Sequence, residues 1–344
     1  MKILAPINNT NEIPILSKAG AEEFFCGYVP DTWLKKYNKC LFQDNENRFM
    51  QISINKRDGI NHNITDLFVL KEIIREAKSS NSKIYVTLNY LFYPEDAYKE
   101  LDDVINEFSN LGVDGLIVTD IGIINFISKN YPNITLILST CQSVFNSWAI
   151  NYYKEMGIKR ITFPRHSSLS EICDMSYNVN DMEFECFILD EGKCIYDDGN
   201  CKALHGIGNF CLEQWEYNHY AINDKSLNYI QMENLYECEE LFKRWTKPYP
   251  TIRTKVNGWT SVGCAICAIP KLMQSSNITT LKISGRGTSV VEKFGLIKYV
   301  KKAIKMSEKG MSREDLREYG KKTFGIPEHC DSKIRCYLPI MEGK

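Results

Sequence analysis

The chain has 344 residues, enough for one large domain or two ordinary ones and for a core several layers thick. With 44% hydrophobic and 25% charged residues and no apolar run of about 18 residues, it reads as a globular protein for which no membrane partner is expected. A formal charge of -1 gives no concentrated basic surface, so nucleic acid is not expected as a partner either.

Strand and helix signals alternate from the start. Residues 4–7 form a predicted strand, 11–18 an amphipathic helix and 23–28 a second strand. The stretch 29–47, with Pro30, Asp31 and several asparagines, reads as an inserted loop. The apolar segment 49–54 after it is a barrel strand or one side of a hairpin. Leu67, Val69, Leu70, Ile73 and Ile74 recur at helical spacing within 66–77, and 83–88 is a continuous strand ending at Asn89. A helix over 94–111 leads to a strand at 115–118 that ends in Thr119 and Asp120. The unit repeats as a helix over 121–129, a strand over 135–139 ending at Thr140 and Cys141, and a helix over 147–156. Strand 160–163 ends at Pro164 and Arg165, and Ser168 caps a helix over 168–175. Strand 182–188 feeds a cysteine loop, an insertion lies between Cys211 and Trp259, and 281–284 is the last strand before a long helix over 290–306. Ser312 and Asp315, at capping-box spacing, open a final helix over 312–323. Eight or nine strands alternating with helices predict an α/β fold, a (β/α)8 TIM-like barrel over 1–310 with a cysteine-bearing region at 194–267, and a helical tail over 311–344 packed on it.

The amino terminus is too short for a signal peptide, so a cytoplasmic setting is expected, in which 13 cysteines, an odd number, do not form a disulfide framework. Cys26, Cys173 and Cys186 sit in apolar runs and read as small core residues. Cys194, Cys201 and Cys211 are different: they punctuate a polar, glycine-bearing loop, poor for packing and suited to binding metal. Either Cys264 or Cys267 can supply a fourth thiolate. Zinc takes four thiolates as an iron-sulfur cluster does, but zinc ribbons show two short Cys-x2-Cys knuckles where this chain has one, which favours a cluster. His205, in the same loop, reads as solvated.

In a (β/α)8 barrel the active site lies at the carboxyl ends of the strands, which makes Asn89, Asp120, Thr140, Arg165, Lys282 and Arg286 candidates. Two arginines can clamp a carboxylate or phosphate through paired hydrogen bonds, where lysine acts as a point charge. Gly285, Arg286 and Gly287 read as an ordinary turn. The chain has no Gly-x-Ser-x-Gly elbow, His-Glu-x-x-His or P-loop. The clustering of cysteines argues against a lone Cys/His dyad.

Several segments, in one order, resemble the collagenase-like peptidases of family U32. They are Leu4-Ala5-Pro6, Val86-Thr87-Leu88-Asn89, Gly115 to Asp120, Arg165 to Ile172, then Glu185, Cys194 and Cys201, and finally Lys282-Ile283-Ser284-Gly285-Arg286. Some members of that family take part in oxygen-independent hydroxylation of ubiquinone precursors or of bases in ribosomal and transfer RNA. The resemblance implies a 4Fe-4S cluster held by Cys194, Cys201, Cys211 and Cys264, prephenate as a hydroxyl source, and a family-related protein partner. Arg165, Glu185 and Asp120 stand as catalytic candidates, and Asn89, Lys282 and Arg286 as substrate-binding ones. Two departures stand out: Asp190 to Lys193 replace the family's His-Gly-Ala, and Ser284 replaces its glutamate. The extra carboxyl-terminal domain of longer members is not expected. The expectation is an iron-sulfur protein that catalyses or supports oxygen-independent hydroxylation or redox modification of a small molecule or modified peptide. A peptidase with a structural cluster, RNA base hydroxylation and an electron-transfer subunit are the alternatives, RNA being set back by the near-neutral charge.

Overall fold

A ring of eight parallel strands forms the centre of the computed structural model, which describes residues 1–37, 53–57, 62–142, 144–165, 167–190, 229–246, 263–275, 277–324 and 328–331. The strands are β1 (Lys2–Pro6), β2 (Glu23–Gly27), β3 (Lys83–Leu88), β4 (Gly115–Val118), β5 (Thr135–Leu138), β6 (Ile158–Thr162), β7 (Glu183–Asp190) and β9 (Ile278–Ile283). Each pairs with its neighbour in sequence. The ring closes through β1 against β9, where Leu4 faces Lys282, and no edge is left exposed. This is a (β/α)8 TIM barrel. The short β8 (Gly263–Cys264) is an addition, antiparallel to the end of β7.

Helices α1 (Glu12–Ala19), α2 (Asp31–Tyr37), α3 (Leu67–Ser79), α4 (Tyr98–Leu111), α5 (Ile121–Asn130), α6 (Ser147–Glu155) and α7 (Leu169–Tyr177) fill the crossovers, and α10 (Val290–Glu308) follows β9. Their starts are written locally. Asp66, Asp120 and Asn146 accept backbone N–H bonds at the first turns of α3, α5 and α6. Ser168 with Glu171, and Ser289 with Glu292, form complete capping boxes. The apolar stripe of α4, Leu101, Val104, Ile105 and Phe108, is buried against the sheet, each side chain stabilising by about 1.5–3 kcal/mol. Phe108 meets Tyr28 edge-to-face at 5.8 Å. Cys26, Cys173 and Cys186 are buried in this outer core.

Three features depart from the sequence reading. The stretch read as an irregular loop holds α2, whose Trp33 is buried; asparagine content masked a short amphipathic turn. Within the segment read as a strand or hairpin, residues 49–52 lie outside the described residues. Residues 53–57 cross the barrel mouth without strand pairing, with the Ile54 carbonyl accepting from Tyr90 N at 3.2 Å and Tyr93 OH at 2.7 Å. Inside the insertion, α8 spans Tyr229–Thr246. At the other end, α9 (Ile269–Leu272) precedes β9, and α11 (Arg313–Phe324) lies against α10, Tyr319 stacking on Tyr299 at 5.2 Å. A last turn, α12 (Glu328–Asp331), is held by Arg317 and Lys321 to Asp331. No helix among the described residues is long and apolar enough to cross a membrane.

Candidate active site

The barrel interior is divided. Leu4, Phe25, Tyr85, Ile117 and Ile137, from β1 to β5, make one small apolar cluster. From β6, β7 and β9 come Arg160, Thr162, Glu185, Thr280 and Lys282, all buried. Polar groups there must find partners, since an unpaired buried charge is costly. At the amino-terminal end the Arg160 guanidinium reaches across the barrel to Glu23 at 2.6 and 3.1 Å and to Glu183 at 2.7 and 2.9 Å. Burial pulls the Glu23 carboxyl up, but the hydrogen bonds and charge of Arg160, with help from Lys2, hold it below the usual carboxylate range.

Glu185 forms the next layer. Its Oε1 accepts from Thr162 Oγ1 at 3.0 Å and from Lys282 Nζ at 2.8 Å, while Arg160 stands 3.6 Å from Oε2. The Lys282 ammonium also lies 4.6 Å from the Phe25 ring centroid and 5.5 Å from that of Phe187. On the same Phe187 ring sits the Arg165 guanidinium, at 3.8 Å. Arg286 donates to Thr87 Oγ1 at 3.1 Å, and His62 Nδ1 lies 2.8 Å from the Arg286 carbonyl. Arg165, Lys282 and Arg286 thus line the strand ends at one mouth, with Glu185 beneath them in the interior, held to Lys282. Arg160 and Lys282 are answered by Glu23, Glu183 and Glu185, and Arg165 and Arg286 add two buried guanidinium groups at the mouth, planar donors of the kind that bind carboxylates.

Two candidates have other duties. Asn89 accepts from Lys56 N at 3.2 Å and so pins the 53–57 segment over the mouth. Asp120 is the N-cap of α5, accepting from Ile123 N at 2.8 Å; burial raises its pKa, and contacts with Ile123, Gly122, Tyr93 and Tyr98 pull the other way. Asp120 thus holds the start of α5 from the strand end at which it was expected to act. The sequence reading passed over Gly27. A Cβ there would stand 2.1 Å from Asn63 Oδ1 and 2.3 Å from an Arg286 guanidinium nitrogen, so the glycine makes room for the arginine. It also missed the Arg160 clamp, whose only sequence signal is a charged residue inside an apolar strand.

Cys194, Cys201, Cys211 and His205 lie outside the described residues. Cys264 is described: β8 hydrogen-bonds it beside the end of β7, with Leu189 opposite, five residues ahead of Cys194 in the chain. Burial pushes its thiol far up, and Tyr299 OH stands 3.6 Å from Sγ. A buried thiol of this kind loses its proton when a metal replaces it, so its donor chemistry fits a thiolate site. Among the described residues no group of three or more His, Cys, Asp or Glu side chains is placed to hold a metal.

Comparison with known proteins gives the lineage. The tRNA hydroxylation protein P1 of Bacillus subtilis is 29% identical over 230 residues, covering 64% of this chain and 47% of that protein. The tRNA hydroxylation protein P of Haemophilus influenzae is 32% identical over 135 residues, 38% of this chain and 28% of the relative. The 23S rRNA 5-hydroxycytidine C2501 synthase of Escherichia coli is 28% identical over 148 residues, 43% and 22%. The chain therefore matches less than half the length of each of these relatives. A solved structure, that of the U32 peptidase Mk0906, is 15% identical with a TM-score of 0.40, covering 55% of this chain and 69% of that one. The model of Peptidase family U32 matches residues 11–327, nearly the whole of the described barrel and its tail helix, and the chain belongs to that family.

Proposed function

We propose that this chain takes part in the oxygen-independent hydroxylation of an RNA base, with a small anionic oxygen donor held in the barrel mouth. The observation that carries the reading is that relatives named for tRNA hydroxylation and for 5-hydroxycytidine synthesis in 23S rRNA match 38% to 64% of this chain. This corrects the expectation that nucleic acid is not a partner. Net charge sums over the whole surface, whereas binding depends on where the cations stand. A small molecule or modified peptide, the substrate first expected, becomes the second choice.

Replacing a ring C–H by C–OH withdraws two electrons from the base, so an oxygen donor at the oxidation level of an alcohol or water must be accompanied by an external two-electron acceptor, to which a one-electron carrier can pass the electrons in turn. A 4Fe-4S cluster on Cys194, Cys201, Cys211 and Cys264, when bound, supplies electron exchange. The chain's own residues do the rest. Arg165 and Arg286 offer planar, multiply donating guanidinium groups, the geometry that suits the carboxylates of a dicarboxylate such as prephenate. Lys282, paired with Glu185 and lying beside two aromatic rings, stands where it can pass a proton toward the mouth. The 53–57 segment, pinned by Asn89, limits water.

The test is twofold. Anaerobic purification with iron and sulfide analysis should give iron and sulfide in the cluster ratio, lost on Cys264→Ser. Mass spectrometry of RNA nucleosides should show a hydroxylated base missing from a strain without the gene, restored by wild type and not by Lys282→Met. Colourless, iron-free protein that restores the modification would overturn the cluster. Peptide hydrolysis by cluster-free protein, with RNA unchanged in the deletion strain, would favour peptide processing.

A further inference from the structure

Cys264 is held from two sides. On the barrel side its short strand pairs with the end of β7, and the next residue, Ala265, donates its N–H to the Ile188 carbonyl at 2.9 Å. On the other side stands α10, whose buried Tyr299 has its hydroxyl oxygen 3.6 Å from Cys264 Sγ. Packing fixes the tyrosine. Its ring stacks on Tyr319 of α11 at 5.2 Å, with 30° between the planes. Gly320, the next residue of α11, faces the hydroxyl itself: a Cβ there would lie 3.1 Å from the Tyr299 hydroxyl oxygen and 3.5 Å from Ile266 Cδ1. Glycine weakens a helix interior, so a buried one inside α11 marks a place where that helix comes close to another group.

A thiol and a phenol in contact leave the direction of the hydrogen bond open, since either atom can donate. Metal binding decides it. A cysteine that ligates a metal has given up its proton, and its sulfur can then only accept, whereas the phenol keeps an O–H to donate. The bond then runs to a charged acceptor in a buried site, where it is stronger than between neutral groups. Hydrogen bonds to cluster sulfurs are among the factors that set an iron-sulfur reduction potential. Reduction adds negative charge that the sulfurs share, so a donor favours the reduced state over the oxidised one. We infer that Tyr299 is a positioning residue for the cluster, donating its hydroxyl to the Cys264 thiolate, orienting that ligand and raising the reduction potential. Phenylalanine would fill the same space and stack on Tyr319; what tyrosine adds is the reach to sulfur. The inference rests on the cluster reading above and adds to it a residue outside the ligand set.

The experiment uses the full chain, purified anaerobically with its cluster, in a dye-mediated redox titration followed by electron paramagnetic resonance of the reduced state. Iron and sulfide are measured on the same sample. Tyr299→Phe should keep both and titrate lower by about 30–60 mV, a roughly threefold to tenfold change in a one-electron equilibrium at about 59 mV per tenfold. Tyr319→Phe alters the ring stacked on Tyr299 but leaves the hydroxyl at Cys264, and should titrate like wild type. Gly320→Ala adds a methyl group 3.1 Å from the Tyr299 hydroxyl while favouring the helix, so it should fold and still move the potential. A full cluster with an unmoved potential in Tyr299→Phe overturns the inference. Where that variant does not fold, an unmoved potential in Gly320→Ala does the same. An equal shift in Tyr319→Phe overturns it too, by assigning the effect to packing. The two readings separate in the wild type. A wild-type chain without iron and sulfide sinks the cluster, whereas a wild-type cluster whose potential ignores Tyr299 sinks the role of the tyrosine and keeps the cluster.

Discussion

Lys282 has its Nζ 2.8 Å from Glu185, which is fully buried, so removing either charge alone leaves the other stranded. Lys282→Met is expected to destabilise the fold by about 3–5 kcal/mol, the usual result of breaking a buried pair from one side. The double variant Glu185→Gln/Lys282→Met should recover part of that loss, a coupling that a double-mutant cycle by denaturant unfolding would measure. A loss in the double variant equal to the sum of the two single losses would show that the pair is not coupled. Gly27 gives a second expectation at this scale. Gly27→Ala places a methyl group within 2.3 Å of Arg286, whose guanidinium must then leave Thr87. Affinity for a dicarboxylate, read by calorimetry, should fall about tenfold or more, since a charged hydrogen bond is worth about 1.5–3 kcal/mol. Unchanged affinity would show that Arg286 does not touch the anion.

Elements matter here because they aim these residues. The Gly285 to Thr288 turn that carries Arg286 is followed at once by α10, and the Ser289 capping box fixes where that helix begins. Ser289→Ala is expected to lower stability by about 1 kcal/mol, seen as a lower denaturant midpoint at unchanged slope. Ser312→Ala, at the Ser312–Asp315 cap that opens α11, is the matched control and should cost a similar amount. Only the Ser289 change should also weaken anion binding. β8 has the corresponding role for the thiol, hydrogen-bonding Cys264 to the end of the strand that precedes the cysteine loop.

At the scale of the whole molecule, Arg160 joins β6 to β2 across the barrel and to β7 at the seam beside it. Because the Glu23 carboxyl is held below its ordinary value, its contribution to stability is present above about pH 4.3 and is lost as pH falls from there through the depressed value. Thermal unfolding followed from about pH 6 to about pH 3 should show this loss. Arg160→Met should be destabilised at every pH and lose the part of the acid dependence due to Glu23. An acid profile identical to wild type would show that the clamp does not govern barrel stability.

The alternation of strands and helices, their caps and the barrel itself were legible in the sequence, because hydrophobic period and capping residues are local signals. Strand bounds at 83–88 and 115–118, and the capping role of Ser168, needed nothing beyond neighbouring residues. Strand-end position alone also nominated Arg165, Lys282 and Arg286. It could not show that Asp120, at the same kind of address, also caps α5, since where a carboxylate points is decided by the fold around it. Nor could it reveal that Arg160 reaches Glu23, 137 residues away in the chain, or that Gly27 yields its space to Arg286. Those facts arise only when the ring closes, because closure brings residues from distant strands within a few ångströms inside a volume with little water, where each charge must then find a partner.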